Sequence, residues 1–479
     1  MTITDLEKKN LWKYFLKLET IPRESGNEAG VRSWLLGWAK EHGFEAFSDK
    51  IGNVFIRANA TPGYENHTPV ALQGHMDMVC VKREGSGHDF TKDPIDVEVD
   101  GDWLAAKDTS LGGDDGIAIA IGLDVLTDPA CKHGPLELIY TVSEETGMDG
   151  ANGLDGRDVR SRLLLNLDSE NEGVLFIGCA GGLHTTGSME YKAAKVPSGW
   201  KGYTLTVGGL RGGHSGDEIH KERANAIKVA ARLLHGQERI MLSSFDGGTR
   251  MNVIPSSCKV SFQIPDEESK AFERRIQETA ETIKNEYRVS DPQLAVTLTK
   301  TPAAKEAADQ SQSASFVRML FLTFHGVYAM SQTLQGLVET SSNLAIVSMK
   351  EGKFFATTSQ RSSVESRKYL VSDLIGEVMR GAGMQVVVDA AYPSWEPDTK
   401  SKLAATAAKV YKEYTGKDMV VTAIHAGLEC GIINSKVKGM DSVSFGPQMR
   451  GIHSVDEHLS ISSSERAADY VKHLLSVLE

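Results

Sequence analysis

The sequence predicts an α/β fold: a discontinuous first domain with a mainly parallel, mixed sheet and helices on both faces, interrupted by an inserted α+β domain. Three observations lead there. Up to about Gly182, apolar runs of strand length alternate with stretches whose apolar residues recur at helical spacing. From there to Tyr392 the order changes to strand pairs followed by helices. After YPSWEPD, whose two prolines break the pattern, helix and strand alternate again to the end. At 479 residues the chain is too long for one simple core. The expected boundaries are 1–184 and 393–479 for the first domain and 185–392 for the insert.

The elements follow in order. Leu6, Leu11, Tyr14, Phe15 and Leu18 lie on one stripe of an opening helix, and a second helix covers about Asn27 to His42. Strands begin near Gly52 (GNVFIRANA) and Thr68 (TPVALQG). A helix spans Gly116 to Leu126, and LELIYTVS from Leu136 and RLLLNLD from Arg162 read as further strands. In the insert, GYTLTVGGLRGGHSG leads into the helix RANAIKVAARLLHG. RMNVIPSSCKVSFQIP reads as an alternating strand pair, followed by the helix ESKAFERRIQETAETIKNEY. A similar pattern returns in TSSNLAIVSMKEGKFFATTSQRSSVES and KYLVSDLIGEVMRGAG. Asn252 and Asn343 each precede an apolar strand, which suggests a duplicated strand–strand–helix unit.

Composition narrows the function. An apolar content of 41% with 24% charged residues belongs to an ordinary folded protein. A net charge of −12 excludes the basic face of a nucleic-acid binder and a polybasic membrane anchor. Cys80, Cys131, Cys179, Cys258 and Cys430 are scattered, with no C-x-x-C pair, so they are expected to be reduced, buried thiols. No run of 18 apolar residues and no secretory signal are present, so no membrane association is expected and a cytoplasmic location is the default.

Five places attract chemistry. His75 and Asp77 follow a strand; Asp114 and Asp115 sit at a glycine-flanked turn entering a helix; Glu144 and Glu145, and then Asp168, stand at strand ends. His453 lies in a loop after a strand near the C-terminus. Each alone has an ordinary explanation: a helix cap, a solvated acid pair, a surface histidine. Jointly they converge, because ligands of open α/β sheets bind beyond the carboxyl ends of the strands. Imidazole and carboxylate donors suit zinc, and also manganese or cobalt.

The motifs GHMDMV, LGGDDGIA, SEETG, NLDSE, GGHSG, MNVIP and IHSVDEHL, taken together, resemble the M20 family of metallopeptidases over nearly the whole chain, most closely its bacterial aminoacyl-histidine dipeptidases. The resemblance implies two divalent metal ions, Zn2+ with Co2+ or Mn2+ as alternatives. His75 and Asp168 hold one, Glu145 and His453 the other, and Asp114 bridges both ahead of a cis Asp114–Asp115 peptide bond. It makes Glu144 the general base and leaves Asp77 to orient the His75 ring. From the insert, read as a lid, it draws three substrate-binding residues: His214 for the oxyanion, Asn252, and Arg361 for the substrate carboxylate.

The implied reaction is hydrolysis of Xaa-His and other short dipeptides with free termini. Asp168, where the family's N-acyl amino-acid hydrolases tend to carry Glu, fits a free amine. Alternatives on the same scaffold are a tripeptide aminopeptidase and an N-acyl amino-acid deacylase. A non-enzyme alternative is an inactive, metal-stabilised binding or scaffold protein. The partners implied are a small peptide and a second copy of the chain through the lid domain, with His214 acting in cis or in trans.

Overall fold

In the computed structural model of the chain, which describes residues 2–350 and 352–479, the apolar run from Val70 forms a strand, Val70–His75, buried along its length. It lies inside an eight-stranded sheet with the order Glu45–Ser48, Val54–Ala58, Leu136–Thr141, Val70–His75, Leu163–Asn166, Asp441–Ser444, Val174–Cys179, Val420–Ile424. The four strands from Leu136–Thr141 to Asp441–Ser444 pair in parallel. Those flanking them pair antiparallel: Val54–Ala58 with Leu136–Thr141 and with Glu45–Ser48, and Val174–Cys179 with Asp441–Ser444. Strands covered on both faces read as continuous apolar runs, which is why the parallel centre stands out in the sequence.

One face of this sheet is covered by an extended core. Trp12, Phe15 and Leu18 of helix Asn10–Leu18, Leu35 of Ala29–Glu41, Ile117 and Ile121 of Gly113–Thr127, and Val471 and Leu474 of Ile461–Val477 pack with Val70, Leu72 and Leu138. On the other face, Glu429 at the start of helix Glu429–Lys436 reaches Gln73 and Thr141. The opening helix is not continuous: a single turn, Ile3–Leu6, is capped by Thr2 and Asp5, and the helix resumes at Asn10. Glu7, Lys8 and Lys9 fall at the break and are exposed, so nothing apolar holds the turns together there.

The chain divides into two compact units. The first comprises the residues up to Gly178, Pro397–Ala423 and Leu428–Glu479; the second comprises Cys179–Glu396 and Ile424–Gly427.

The second unit carries a nine-stranded sheet whose pairs are all antiparallel. Eight of its strands fall into two halves with one plan. The first half runs strand Trp200–Gly208, helix Ala226–Leu234, strands Met241–Gly247 and Cys258–Pro265, helix Asp266–Glu286, strand Ala295–Thr301. The second runs strand Gly181–Glu190, helix Gln310–Leu322, strands Val338–Lys350 and Lys353–Ser362, helix Glu365–Gly381, strand Gln385–Tyr392. In space each half orders its strands fourth, first, third, second, and the two second strands meet at Gly247 and Val347. The first half is inserted between the first strand and the first helix of the second half. Ala193–Lys195 pairs with Glu306–Ala308 where the chain enters and leaves it.

The repeat is therefore larger than a strand–strand–helix unit. RMNVIPSSCKVSFQIP forms only one strand, Cys258–Pro265, whose hairpin partner is Met241–Gly247. That partner, MLSSFDG, has no apolar alternation and gave no strand signal. Asn252 and Asn343 are not equivalent: Asn252 lies in a turn and Asn343 inside a long strand. They meet nonetheless, because Asn343 Nδ2 donates to the carbonyls of Met251 at 3.3 Å and Val253 at 2.8 Å. No disulfide joins any of the five cysteines, and four of them are buried. Among the described residues no helix is long and apolar enough to cross a membrane.

Gly74 shows how closely the helix after Asp114 packs on the central strand. A Cβ there would lie 2.4 Å from Asp115 Oδ2 and 2.6 Å from Ala118 Cβ. Gly74→Ala is expected to cost about 1–3 kcal/mol through overpacking, measured by denaturant unfolding; an unchanged midpoint would show that the contact relaxes freely.

Candidate active site

The first unit brings its acids and histidines to the carboxyl end of the parallel strands. His75 ends Val70–His75 and is 1% exposed. Asp114 and Asp115 open helix Gly113–Thr127 but have non-helical backbone angles, and the peptide bond between them is cis. Beyond strand Leu136–Thr141, Ser143 takes φ 50, and the short helix Glu144–Gly147 begins at once. Glu28 holds that turn by accepting from Ser143 N at 2.9 Å and Ser143 Oγ at 3.1 Å. This left-handed residue is what turns two consecutive acids into one site, where a continuing strand would have pointed them apart. His453, at φ 58, lies in the hairpin between strands Met449–Arg450 and His458–Ser460.

Asp114 is at the centre. Its Oδ1 lies 3.0 Å from His75 Nε2, and its Oδ2 lies 3.1 Å from His453 Nε2. His75 Nε2 is 3.5 Å from Asp168 Oδ1, and His453 Nε2 is 2.9 Å from Glu145 Oε2. Two groups of possible ligand atoms, His75–Asp114–Asp168 and Asp114–Glu145–His453, each lie within 4.8 Å and share Asp114; a third joins His75, Glu144 and Glu145.

Asp77 ties these segments together. Its carboxylate accepts from Glu144 N at 3.0 Å, Glu145 N at 3.2 Å and Ser25 Oγ at 2.7 Å. Its carboxylate also lies 3.4 Å from His75 Nδ1, but its backbone carbonyl is nearer, at 3.1 Å. The same residue thus orients the histidine and anchors the acidic turn.

The electrostatics are those of a site built for cations. Burial pushes the Asp168 and Asp115 carboxyls well above their usual range. Burial also raises Glu144, to about 8, and the Glu429, Glu145 and Asp114 carboxylates add to it against the His75 imidazole. Burial alone would raise Asp77 and lower His75. Hydrogen bonds from His75 and Ser25 instead hold Asp77 at about 2, and Asp168 and Asp114 raise His75 well above its ordinary value. Hydrogen bonds to Asp114 and Glu145 raise His453 to about 11. Nitrogen and oxygen donors, three to a group with one carboxylate shared, fit a pair of divalent ions, and no cysteine is needed.

Comparison with known proteins agrees. Residues 71–477 match the model of peptidase family M20/M25/M40. The chain belongs to this family. It is 38% identical to the cytosol non-specific dipeptidase of Escherichia coli K12 over 464 residues, covering 96% of each chain. The crystal structure of an aminoacylhistidine dipeptidase from Vibrio alginolyticus superposes with a TM-score of 0.93 at 36% identity, over 100% of this chain and 98% of that one. An aminopeptidase PepT from Bacillus cereus shares the fold at a TM-score of 0.57 and 16% identity, over 98% and 97% of the two chains.

The remaining expected site residues lie in the second unit. His214 Nδ1 is 3.2 Å from Asp217 Oδ2. Asn252 is exposed, and its carbonyl accepts from Ser215 N at 2.8 Å. Arg361 Nη1 donates to Tyr392 Oη at 3.2 Å, while its Nε is buried without a partner. A hydrogen bond from His214 lowers the Asp217 carboxyl, and Arg361 lowers it further, so the His214 loop and Arg361 are neighbours. His425, bonded to Ser341 Oγ at 2.7 Å, joins this group. Burial and Arg361 push its imidazole down to about 3, so it is neutral.

Sequence reading passed over several supporting residues. Glu457 lies inside the motif IHSVDEHL, and Ser25 and Glu28 lie just before helix Ala29–Glu41; nothing in their spacing marks them. Glu429 carries a faint signal, a lone acid ahead of the apolar pair Ile432 and Ile433. It is fully buried and accepts from Gln73 Nε2 at 2.5 Å and Thr141 Oγ1 at 2.7 Å.

Imidazoles held protonated in the metal-free chain must lose protons to bind a metal. Zinc binding at pH 7 is therefore expected to release at least one proton, seen by calorimetry in buffers of different ionisation enthalpy, and to tighten as pH rises. Binding without proton release would contradict the assignment of His453.

Proposed function

We propose that the chain is a di-metal dipeptidase that hydrolyses Xaa-His and other short dipeptides with free termini, as a cytoplasmic enzyme. The observation that carries the reading is Asp114, with one oxygen toward His75 and the other toward His453. On this reading His75 and Asp168 would hold one ion and Glu145 and His453 the other, with Asp114 common to both groups. Zinc suits the donor set, with cobalt or manganese as alternatives. When bound, such ions polarise a carbonyl and lower the pKa of a water.

The chain's own groups do the rest. Glu144 takes the proton of the attacking water and returns it to the leaving amine. Burial raises the Glu144 carboxyl, which favours its holding a proton once it has taken one, and the Asp77 anchor keeps Glu144 at the site through its backbone N–H. Arg361 takes the substrate carboxylate, His214 the developing oxyanion, and Asn252 the substrate backbone. His214 belongs to the first half of the second unit and Arg361 to the second half, yet Asp217 interacts with both. A homodimer formed through this lid unit remains part of the proposal.

The dipeptide preference draws on the E. coli relative, named a non-specific dipeptidase, and the Vibrio structure, named an aminoacylhistidine dipeptidase. Ala-His is expected to turn over faster than Ala-Ala-His or N-acetyl-His. Faster turnover of either competitor would move the reading to a tripeptidase or a deacylase.

Glu144→Ala is expected to keep fold and metal content while kcat falls by roughly 10²–10⁴-fold, the usual worth of a general base. Near-normal kcat would show that another group moves the proton.

A further inference from the structure

A buried chain of polar contacts lies behind the Asp114 turn and takes no part in the proton transfers assigned above. Helix Gly113–Thr127 starts from Gly112, at φ 77, which has no side chain to cap it. The first N–H groups of a helix lack partners within it. Here Glu457, 3% exposed, takes one of them together with the two N–H groups just ahead of the helix: its Oε2 accepts from Leu111 N at 2.7 Å and Gly112 N at 3.0 Å, and its Oε1 from Asp114 N at 3.3 Å. On the carbonyl side, Arg23, 1% exposed, donates to Gly112 O at 2.6 Å and to Asp77 O at 3.3 Å. Glu19 pairs with Arg23 at 2.9 Å.

Glu457 stands 343 positions from Asp114, in the hairpin that carries His453. That hairpin is fastened by strand His458–Ser460, which pairs with Trp103–Ala106. Its turn is tight: a Cβ on Gly451 would lie 2.3 Å from the Asp456 carbonyl oxygen. A serine or asparagine at position 112 would satisfy the helix N–H groups locally. A glutamate delivered from the His453 hairpin takes one of them, with the N–H groups of the turn ahead, and also fixes one candidate ligand-bearing loop to the other.

We propose that Glu457 is a positioning residue for the metal centre, locking the Leu111–Asp114 turn to the His453 hairpin so that Asp114 faces both imidazoles. Arg23 plays the matching part toward Asp77. The inference rests on the reading of Asp114 and His453 as ligands.

Glu457→Gln keeps the shape but removes the charge and turns an amide donor toward backbone N–H groups. Zinc affinity is measured by competition with a chromophoric chelator, beside the thermal midpoint of the metal-free protein. Affinity is expected to weaken roughly 10–100-fold, with kcat recovering as zinc is added and KM unchanged. Ser401→Ala, which removes the cap of helix Lys402–Thr415, serves as the purely structural control: a lower midpoint with unaltered zinc affinity. Should the Gln variant not fold, Glu457→Asp carries the same measurement. Unaltered zinc affinity in the folded variant would overturn the role of Glu457, as would an equal loss in Ser401→Ala. A wild-type protein that binds no zinc would instead overturn the ligand reading itself.

Discussion

Asp114 presents one carboxylate oxygen to each of two imidazoles that arrive from distant parts of the chain, His75 and His453. The segments carrying the other candidate ligands are arranged to keep that geometry. Gly112 takes a left-handed conformation to start the turn, and Gly74 leaves room for Asp115 and the helix behind it. Asp77 binds the backbone of Glu144 and Glu145, so the acidic turn moves with the strand that ends in His75. Without a cation the cluster is a crowd of carboxyls in a place with little water. Asp168 and Asp115 are driven upward for that reason, and divalent ions would relieve the same crowding.

The candidate ligand positions were legible because their chemistry and their placement coincide. A parallel strand covered on both faces is an unbroken apolar run, and the residue that ends it is conspicuous when it is a histidine or an acid. The supporting contacts were not legible. Ser143 is an ordinary serine until its φ of 50 is seen, and Glu457 reaches the Asp114 turn across most of the chain. The repeat in the second unit was only half legible. The first strand of its second half, Gly181–Glu190, is separated from its helix, Gln310–Leu322, by the whole of the first half. The strand Met241–Gly247 has no apolar period because serine, aspartate and glycine fill it.

Duplication has a consequence for chemistry. The two halves share a strand plan but not their polar residues. The first contributes His214 and Asn252, and the second contributes Ser341, Arg361 and Tyr392, with His425 beside them. The second unit thus brings together a cation on its sheet, a neutral imidazole and a carboxylate-paired imidazole in a loop. A single copy of the repeat, with only one of these groups of residues, would not.

The most direct test is a crystal structure of the zinc-loaded protein with anomalous scattering recorded at the zinc edge. Two peaks flanking Asp114 are predicted, one beside His75 and Asp168 and the other beside Glu145 and His453. A single peak, or a pair lying away from Asp114, would contradict the account.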